Sequence, residues 1–142
     1  MAIFNLEVKK IILTALILIC LVFSYTDIKA RRIPNNMIHP LLIIAFLIRL
    51  MDIQFYLGLI PAVIFTVLFL VNSNAIGAGD IKLIALIGLI LGINSTVIVL
   101  AGMSLSALTY LIYRYLKDKL SVKTIPLAPF LTIGVLCAVY IF

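Results

Sequence analysis

Apolar residues fall in six runs, and short breaks between the runs hold most of the charged residues. A transmembrane helix needs about 20 apolar residues, and a chain that crosses a bilayer must satisfy its backbone hydrogen bonds within each span. The pattern therefore predicts an all-α, polytopic membrane helical bundle with about six transmembrane helices, forming a single integral-membrane domain over residues 1–142. The runs cover about residues 11–27, 36–50, 55–71, 80–93, 96–113 and 126–142, with Gly92–Ser95 as the turn between the fourth and fifth.

Composition supports a membrane environment. The chain is 65% hydrophobic and only 11% charged, whereas about a quarter of the residues of a soluble domain are charged. So few polar side chains could not cover a water-soluble globule. Cys20 and Cys137 each stand alone in an apolar run, so we interpret both as small buried hydrophobic residues rather than as metal ligands.

The lysines and arginines predict the orientation. Six spans place the loops after the first, third and fifth runs on one side, with eight of the 11 basic residues there. The positive-inside rule makes that side cytoplasmic, so both termini are predicted to be extracytoplasmic. The first run is predicted to be an uncleaved span, because no small-residue cleavage site follows it. The eight residues are Lys29, Arg31, Arg32, Lys82, Arg114, Lys117, Lys119 and Lys123.

Two of the five acidic residues lie at ends of apolar runs. Asp27 ends the first run and Asp80 begins the fourth, so both are predicted at the cytoplasmic ends of their spans and at one membrane depth. The run after Asp80 gives only about 20 Å of helix against roughly 30 Å of hydrocarbon, which places Asp80 below the membrane surface. A carboxylate there needs a partner or a function.

Two carboxylates at one depth fit more than one function. An aspartyl dyad could hydrolyse a peptide bond, or the acids could bind and relay ions in a small ion-coupled transporter. Both acids lie on one side, which favours the hydrolase, since a transporter needs access from both sides. A non-catalytic membrane scaffold, with Asp80 as an ordinary helix N-cap, is the third interpretation.

Three sequence elements indicate a more specific function. Asp27 is followed after five residues by Ile33-Pro34-Asn35, and Asp80 stands in Gly77-Ala78-Gly79-Asp80-Ile81-Lys82. Near the C-terminus comes Ile125-Pro126-Leu127-Ala128-Pro129-Phe130. In this order and spacing, the elements resemble the type IV prepilin peptidase family of membrane aspartyl proteases with a GxGD motif.

The resemblance implies an aspartic-type endopeptidase that cleaves leader peptides of type IV prepilins or pilin-like precursors at the cytoplasmic membrane face. Its partners would be those precursors and the lipid bilayer, with no nucleic acid, in type IV pilus assembly and protein secretion. Asp27 and Asp80 would be the catalytic dyad that activates water. The other matched positions would shape the loop or contact substrate, and they are Gly77, Gly79, Lys82, Pro34 and Asn35.

The chain differs from the long members of that family. Ten residues precede the first run and no Cys-x-x-Cys element occurs, so the resemblance is to the short form that lacks the N-methylation segment. We expect no methyltransferase activity, no metal and no other cofactor.

Local chemistry gives further expectations at the site. Gly77 and Gly79 are predicted to allow positive φ and a flexible loop, with the dyad separated at rest. Helix dipoles predict that Asp80 is the ionised base and that Asp27 carries the proton. Asn35 is predicted to be the N-cap of the second helix, and Lys82 to anchor its helix at the interface. For the lone histidine, His39, we predict no catalytic role.

Overall fold

The structure is a computed structural model that describes residues 2–30, 33–49, 53–72, 76–118 and 126–141. All regular secondary structure in these residues is helical, which confirms the all-α prediction. The elements in chain order are α1 (Ala2–Ala30), α2 (Asn35–Ile48), α3 (Ile53–Tyr56), a 3-10 turn (Leu57–Leu59), α4 (Ile60–Val71), α5 (Ala78–Asp118) and α6 (Ala128–Ile141).

Within the described residues, two helices are long and apolar enough to cross a membrane. They are Glu7–Ala30 of α1 and Ala78–Lys117 of α5, and three shorter apolar helical stretches cover Asn35–Ile48, Leu57–Val71 and Ala128–Ile141. Large hydrophobic side chains are exposed on all of them. An apolar outer surface of this extent suits a lipid environment rather than water.

Helix α5 is broken at Gly92. Its backbone has φ 77° and ψ 176°, and the side-chain hydroxyl of Thr96 donates a hydrogen bond of 2.6 Å to the Gly92 carbonyl. This region of φ and ψ is essentially restricted to glycine. The break lies at the start of the predicted turn, so the two parts of α5 correspond to the fourth and fifth predicted runs. The helices of the structure thus overlap all six runs.

The core lies where α1, α5 and α6 pack together. Leu16, Phe23, Leu83 and Leu131 are fully or almost fully buried there. Cys20 is also buried, as predicted, but Cys137 is exposed, which shows that its prediction was wrong. An apolar run alone does not tell which side of a helix faces the bundle, because the lipid-facing side is apolar as well.

Glycines let two pairs of backbones touch. Gly58, before α4, meets Gly88 of α5, and Gly134 of α6 meets the carbonyl of Val99. A Cβ at any of these three glycines would collide with backbone atoms. The close crossings hold α4 against the part of α5 before Gly92 and α6 against the part after it.

Candidate active site

Asp27 lies in the last turn of α1 and is almost fully buried, with 7% of its surface exposed. Its carboxylate accepts a hydrogen bond of 3.1 Å from the backbone N–H of Ala128, the first residue of α6. The first N–H groups of a helix have no partner within the helix. Asp27 therefore caps α6, and the contact brings the C-terminal motif to the end of α1.

Asp80 lies in the first turn of α5, where its backbone N–H donates a hydrogen bond of 3.1 Å to the Gly77 carbonyl. The side chain is partly buried, and its carboxylate lies near enough to that of Asp27 for their charges to interact. The two candidate acids thus lie at one end of the bundle, where α1 finishes and α5 and α6 begin, and the separation of the dyad at rest stays a prediction.

The Ile33-Pro34-Asn35 element packs against the start of α5. The ammonium of Lys82 donates a hydrogen bond of 2.8 Å to the side-chain oxygen of Asn35. A Cβ on Gly79 would lie 2.9 Å from the Cβ of Ile33, so glycine is what lets these segments approach so closely. All three sequence elements therefore contribute to one site.

The glycines beside Asp80 do not have the backbone that we expected. Among the described residues, the only glycine with positive φ is Gly92, so the prediction of positive φ at Gly77 and Gly79 was wrong. Gly79 belongs to the first turn of α5. Their missing side chains provide space instead, because a Cβ on Gly77 would lie 2.9 Å from a carboxylate oxygen of Asp80. Residues 73–75 lie outside the described residues, so the flexible loop stays a prediction.

The start of α2 also differs from the prediction. Pro34, not Asn35, is the N-cap residue, and its carbonyl accepts hydrogen bonds from the N–H groups of Met37 and Ile38. Asn35 is the first helical residue, so its side chain cannot cap the helix and instead accepts from Lys82. Lys82 accordingly reaches across to α2 rather than along its own helix.

In the structure, helix dipoles do not determine which of the two acids is ionised. Asp27 lies at the C-terminal end of α1, where a negative charge is unfavourable, yet its carboxylate also faces the N-terminus of α6. Asp80 lies at the N-terminus of α5. Because both carboxylates lie at the positive end of a helix dipole, the dipoles do not determine which acid carries the proton.

Sequence reasoning missed two contributors to the site. One is the backbone N–H of Ala128, which no side-chain pattern reveals. The other is His39, whose ring nitrogen Nε2 lies 3.4 Å from the Lys82 ammonium. Its position four residues after Asn35 is a signal that could have placed it, since residues at that spacing share one face of a helix. No group of three or more His, Cys, Asp or Glu side chains in the described residues is arranged to hold a metal ion.

Comparison with known proteins identifies a family. A family model described as the type IV leader peptidase family matches residues 14–112, which include both candidate acids. No curated protein and no solved structure matches the chain. Since the match covers well over half of the sequence, the chain belongs to the type IV leader peptidase family, a family of leader-peptidase-type proteases.

Proposed function

We propose that this protein is a multi-pass aspartyl endopeptidase of the cell membrane that uses Asp27 and Asp80 as its catalytic dyad. Its substrates would be type IV prepilins or pilin-like precursors, cut at the cytoplasmic membrane face. The observation that carries the proposal is that the buried Asp27, which caps α6, and Asp80 lie at the one end of the bundle where the three motifs converge. Family membership supports the proteolytic reaction.

The dyad would work by sharing one proton. Two carboxylates a few ångströms apart do not both ionise readily, so the pair titrates as a unit. The ionised acid takes a proton from a water molecule, whose oxygen attacks the carbonyl carbon of the scissile peptide, while the other acid protonates the carbonyl oxygen. The tetrahedral intermediate then collapses: the C–N bond breaks, the leaving nitrogen takes a proton from the dyad, and one hydroxyl of the intermediate returns its proton to the dyad as the carboxyl product forms.

The distribution of basic residues supports the proposed orientation in the membrane. Eight of the 11 basic residues lie on the predicted side of the membrane that holds Asp27 and Asp80. The positive-inside rule supports a cytoplasmic active site and extracytoplasmic termini. A positively charged leader that is still in the cytoplasm could then reach the dyad directly.

A groove between α1 and α2 would receive the apolar segment of the precursor. This groove is a cavity of about 390 Å³. Phe23 and Met37 line its end near the site, since Phe23 lies one helical turn before Asp27. Ile19 and Leu41 also line a second cavity of about 160 Å³, so the apolar path continues along both helices. The groove would therefore guide a membrane-embedded helix to the acids. Its lining residues are Leu18, Ile19, Val22, Phe23, Met37, Pro40 and Leu41.

Disulfide cross-linking tests the groove. In a background without Cys20 and Cys137, Met37→Cys should cross-link to a cysteine placed in the apolar segment of the precursor. Val63→Cys, on an exposed face of α4, is the matched control and should not cross-link. Equal cross-linking at both positions would show that the precursor has no preference for the groove and would overturn the role proposed for it.

Reconstitution tests the proposed reaction against its alternatives. The purified protein in sealed liposomes, given a candidate precursor, should release the leader and should conduct no ions. Ion flux without cleavage would identify a transporter, and precursor binding without cleavage would identify a scaffold. Either result would overturn the proposed function.

A further inference from the structure

We propose that His39 is a positioning residue for the active site. Its neutral imidazole accepts a hydrogen bond from the Lys82 ammonium and thereby holds the start of α5, which carries Asp80, against the start of α2. This inference deepens the proposed function and rests on it, because the role assigned to His39 is to place a catalytic acid.

The hydrogen bonds determine the tautomer of His39. Its Nδ1 lies 2.7 Å from the backbone carbonyl oxygen of Asn35. A carbonyl can only accept, so Nδ1 must carry the hydrogen and donate it. In the neutral ring Nε2 then has a free lone pair, and it points at Lys82 Nζ, which can only donate, at 3.4 Å. The Asn35 side chain supplies a second, shorter acceptor at 2.8 Å.

Such acceptors favour the position of Lys82, because its own helix does not provide a favourable place for a cation. It lies near the N-terminus of α5, where the helix dipole disfavours positive charge. Asp80 is two residues away, and side chains at that spacing point in different directions on a helix. Among the residues that the structure describes, Lys82 makes no ion pair. The acceptors observed for its ammonium group are therefore neutral groups on α2.

The resulting link acts on the turn that holds Asp80. Ile33 on one side and Gly79 on the other are already in tight contact, and Lys82, Asn35 and His39 tie the next helical turns together. Loss of the His39 lone pair would leave the ammonium held by Asn35 alone. The start of α5 could then shift relative to α2, and a displacement of about 1 Å at a reacting group can cost on the order of a hundredfold in rate.

Nitrogen-15 NMR of labelled histidine tests the hydrogen bond directly, since His39 is the only histidine in the chain. At a pH where the ring is neutral, the spectrum of the intact protein should show a protonated Nδ1 and an unprotonated Nε2. Lys82→Met should shift the Nε2 resonance. The opposite tautomer, or a Nε2 signal that ignores Lys82→Met, would overturn the proposal whether or not cleavage is observed.

Kinetics tests the positioning role. His39→Leu should lower kcat about tenfold, as loss of one hydrogen bond to a charged group would, and should leave KM within about twofold of wild type. His39→Gln, whose amide oxygen can accept at the position of Nε2, should restore most of the rate. Asn36→Leu, at the neighbouring exposed amide, is the control and should cleave normally.

A double-mutant cycle separates this inference from the proposed function. In a Lys82→Met background, His39→Leu should cause no further loss, because its effect passes through Lys82. An additional tenfold loss there, or a wild-type rate for His39→Leu alone, would overturn the role of His39 and leave the dyad intact. Loss of the dyad proposal would instead appear as activity that survives in Asp27 or Asp80 variants.

Discussion

The carboxylate of Asp27 accepts a hydrogen bond from the backbone N–H of Ala128, 101 positions later in the chain. The bond joins the end of α1 to the start of α6 in a part of the protein that is closed to solvent. Asp27 therefore has a structural contact in addition to its proposed catalytic role, and the two can be separated by substitution.

Asp27→Asn should keep the fold, because the amide oxygen can still accept from Ala128. Asp27→Ala leaves that buried N–H without a partner and should lower the free energy of unfolding by about 1–3 kcal/mol more than Asp27→Asn does. Both substitutions remove the charge beside Asp80, so their difference isolates the hydrogen bond. Unfolding in detergent, with Glu7→Ala as an exposed control, measures the difference in stability between the two variants. Equal free energies of unfolding would contradict the capping role.

Two glycines near Asp80 should respond differently to alanine. At Gly77 the new Cβ meets the Asp80 carboxylate, a movable group, so Gly77→Ala should lower kcat on the order of a hundredfold with little change in stability. At Gly79 the new Cβ meets the Cβ of Ile33, which the backbone fixes, so Gly79→Ala should also destabilise the fold by about 1–3 kcal/mol. The measurements are steady-state cleavage and unfolding of both variants, with Ala78→Ser as the control. A loss of stability in Gly77→Ala but not in Gly79→Ala would contradict the prediction.

The break in α5 depends on Gly92. Its φ and ψ are inaccessible to other residues without strain, so Gly92→Ala should destabilise the protein by about 1–3 kcal/mol. Gly92→Asn should cost as much, because asparagine tolerates the left-handed helical region but not an extended ψ with positive φ. Thermal unfolding of the two variants checks this, and a neutral effect of either one would mean that α5 can run straight through.

Chelation tests how the water is activated. A dyad of carboxylates activates water directly, so EDTA should leave the rate of precursor cleavage unchanged within error. The measurement is a cleavage assay with and without the chelator, followed by addition of Zn²⁺ or Mg²⁺. Inhibition that a metal ion reverses would contradict the proposed mechanism.

The helical fold and the position of Asp27 and Asp80 at one end of the bundle could be predicted from the sequence because each depends on a strong local signal. Long apolar runs leave few alternatives to helices, and both acids stand at the ends of such runs. The turn at Gly92 was equally visible as a glycine beside polar residues. Family membership followed from three short motifs in the right order, and the family comparison confirmed it.

The details of the site depend on contacts across the fold, which a sequence pattern does not encode. The sequence pattern suggests Asn35 as an N-cap. In the structure the extended Pro34 is the N-cap residue, and the side-chain oxygen of Asn35 accepts a hydrogen bond from Lys82 instead. The dipole of α1 alone does not describe the surroundings of Asp27, because α6 approaches it from elsewhere in the chain. Gly77 and Gly79 look like loop glycines, yet they serve to make room for neighbouring side chains.

The central claim is that Asp27 and Asp80 act as one catalytic pair, and cleavage of a candidate prepilin by single and double variants tests it most directly. Asp27→Asn and Asp80→Asn should each lower the rate by about 10²–10⁴-fold at unchanged protein levels. The double variant should be no slower than the worse single variant, because residues that act as a unit are not additive. Glu7→Gln, at an exposed acid near the start of α1, should cleave like wild type. Substantial cleavage by either single variant would contradict the dyad.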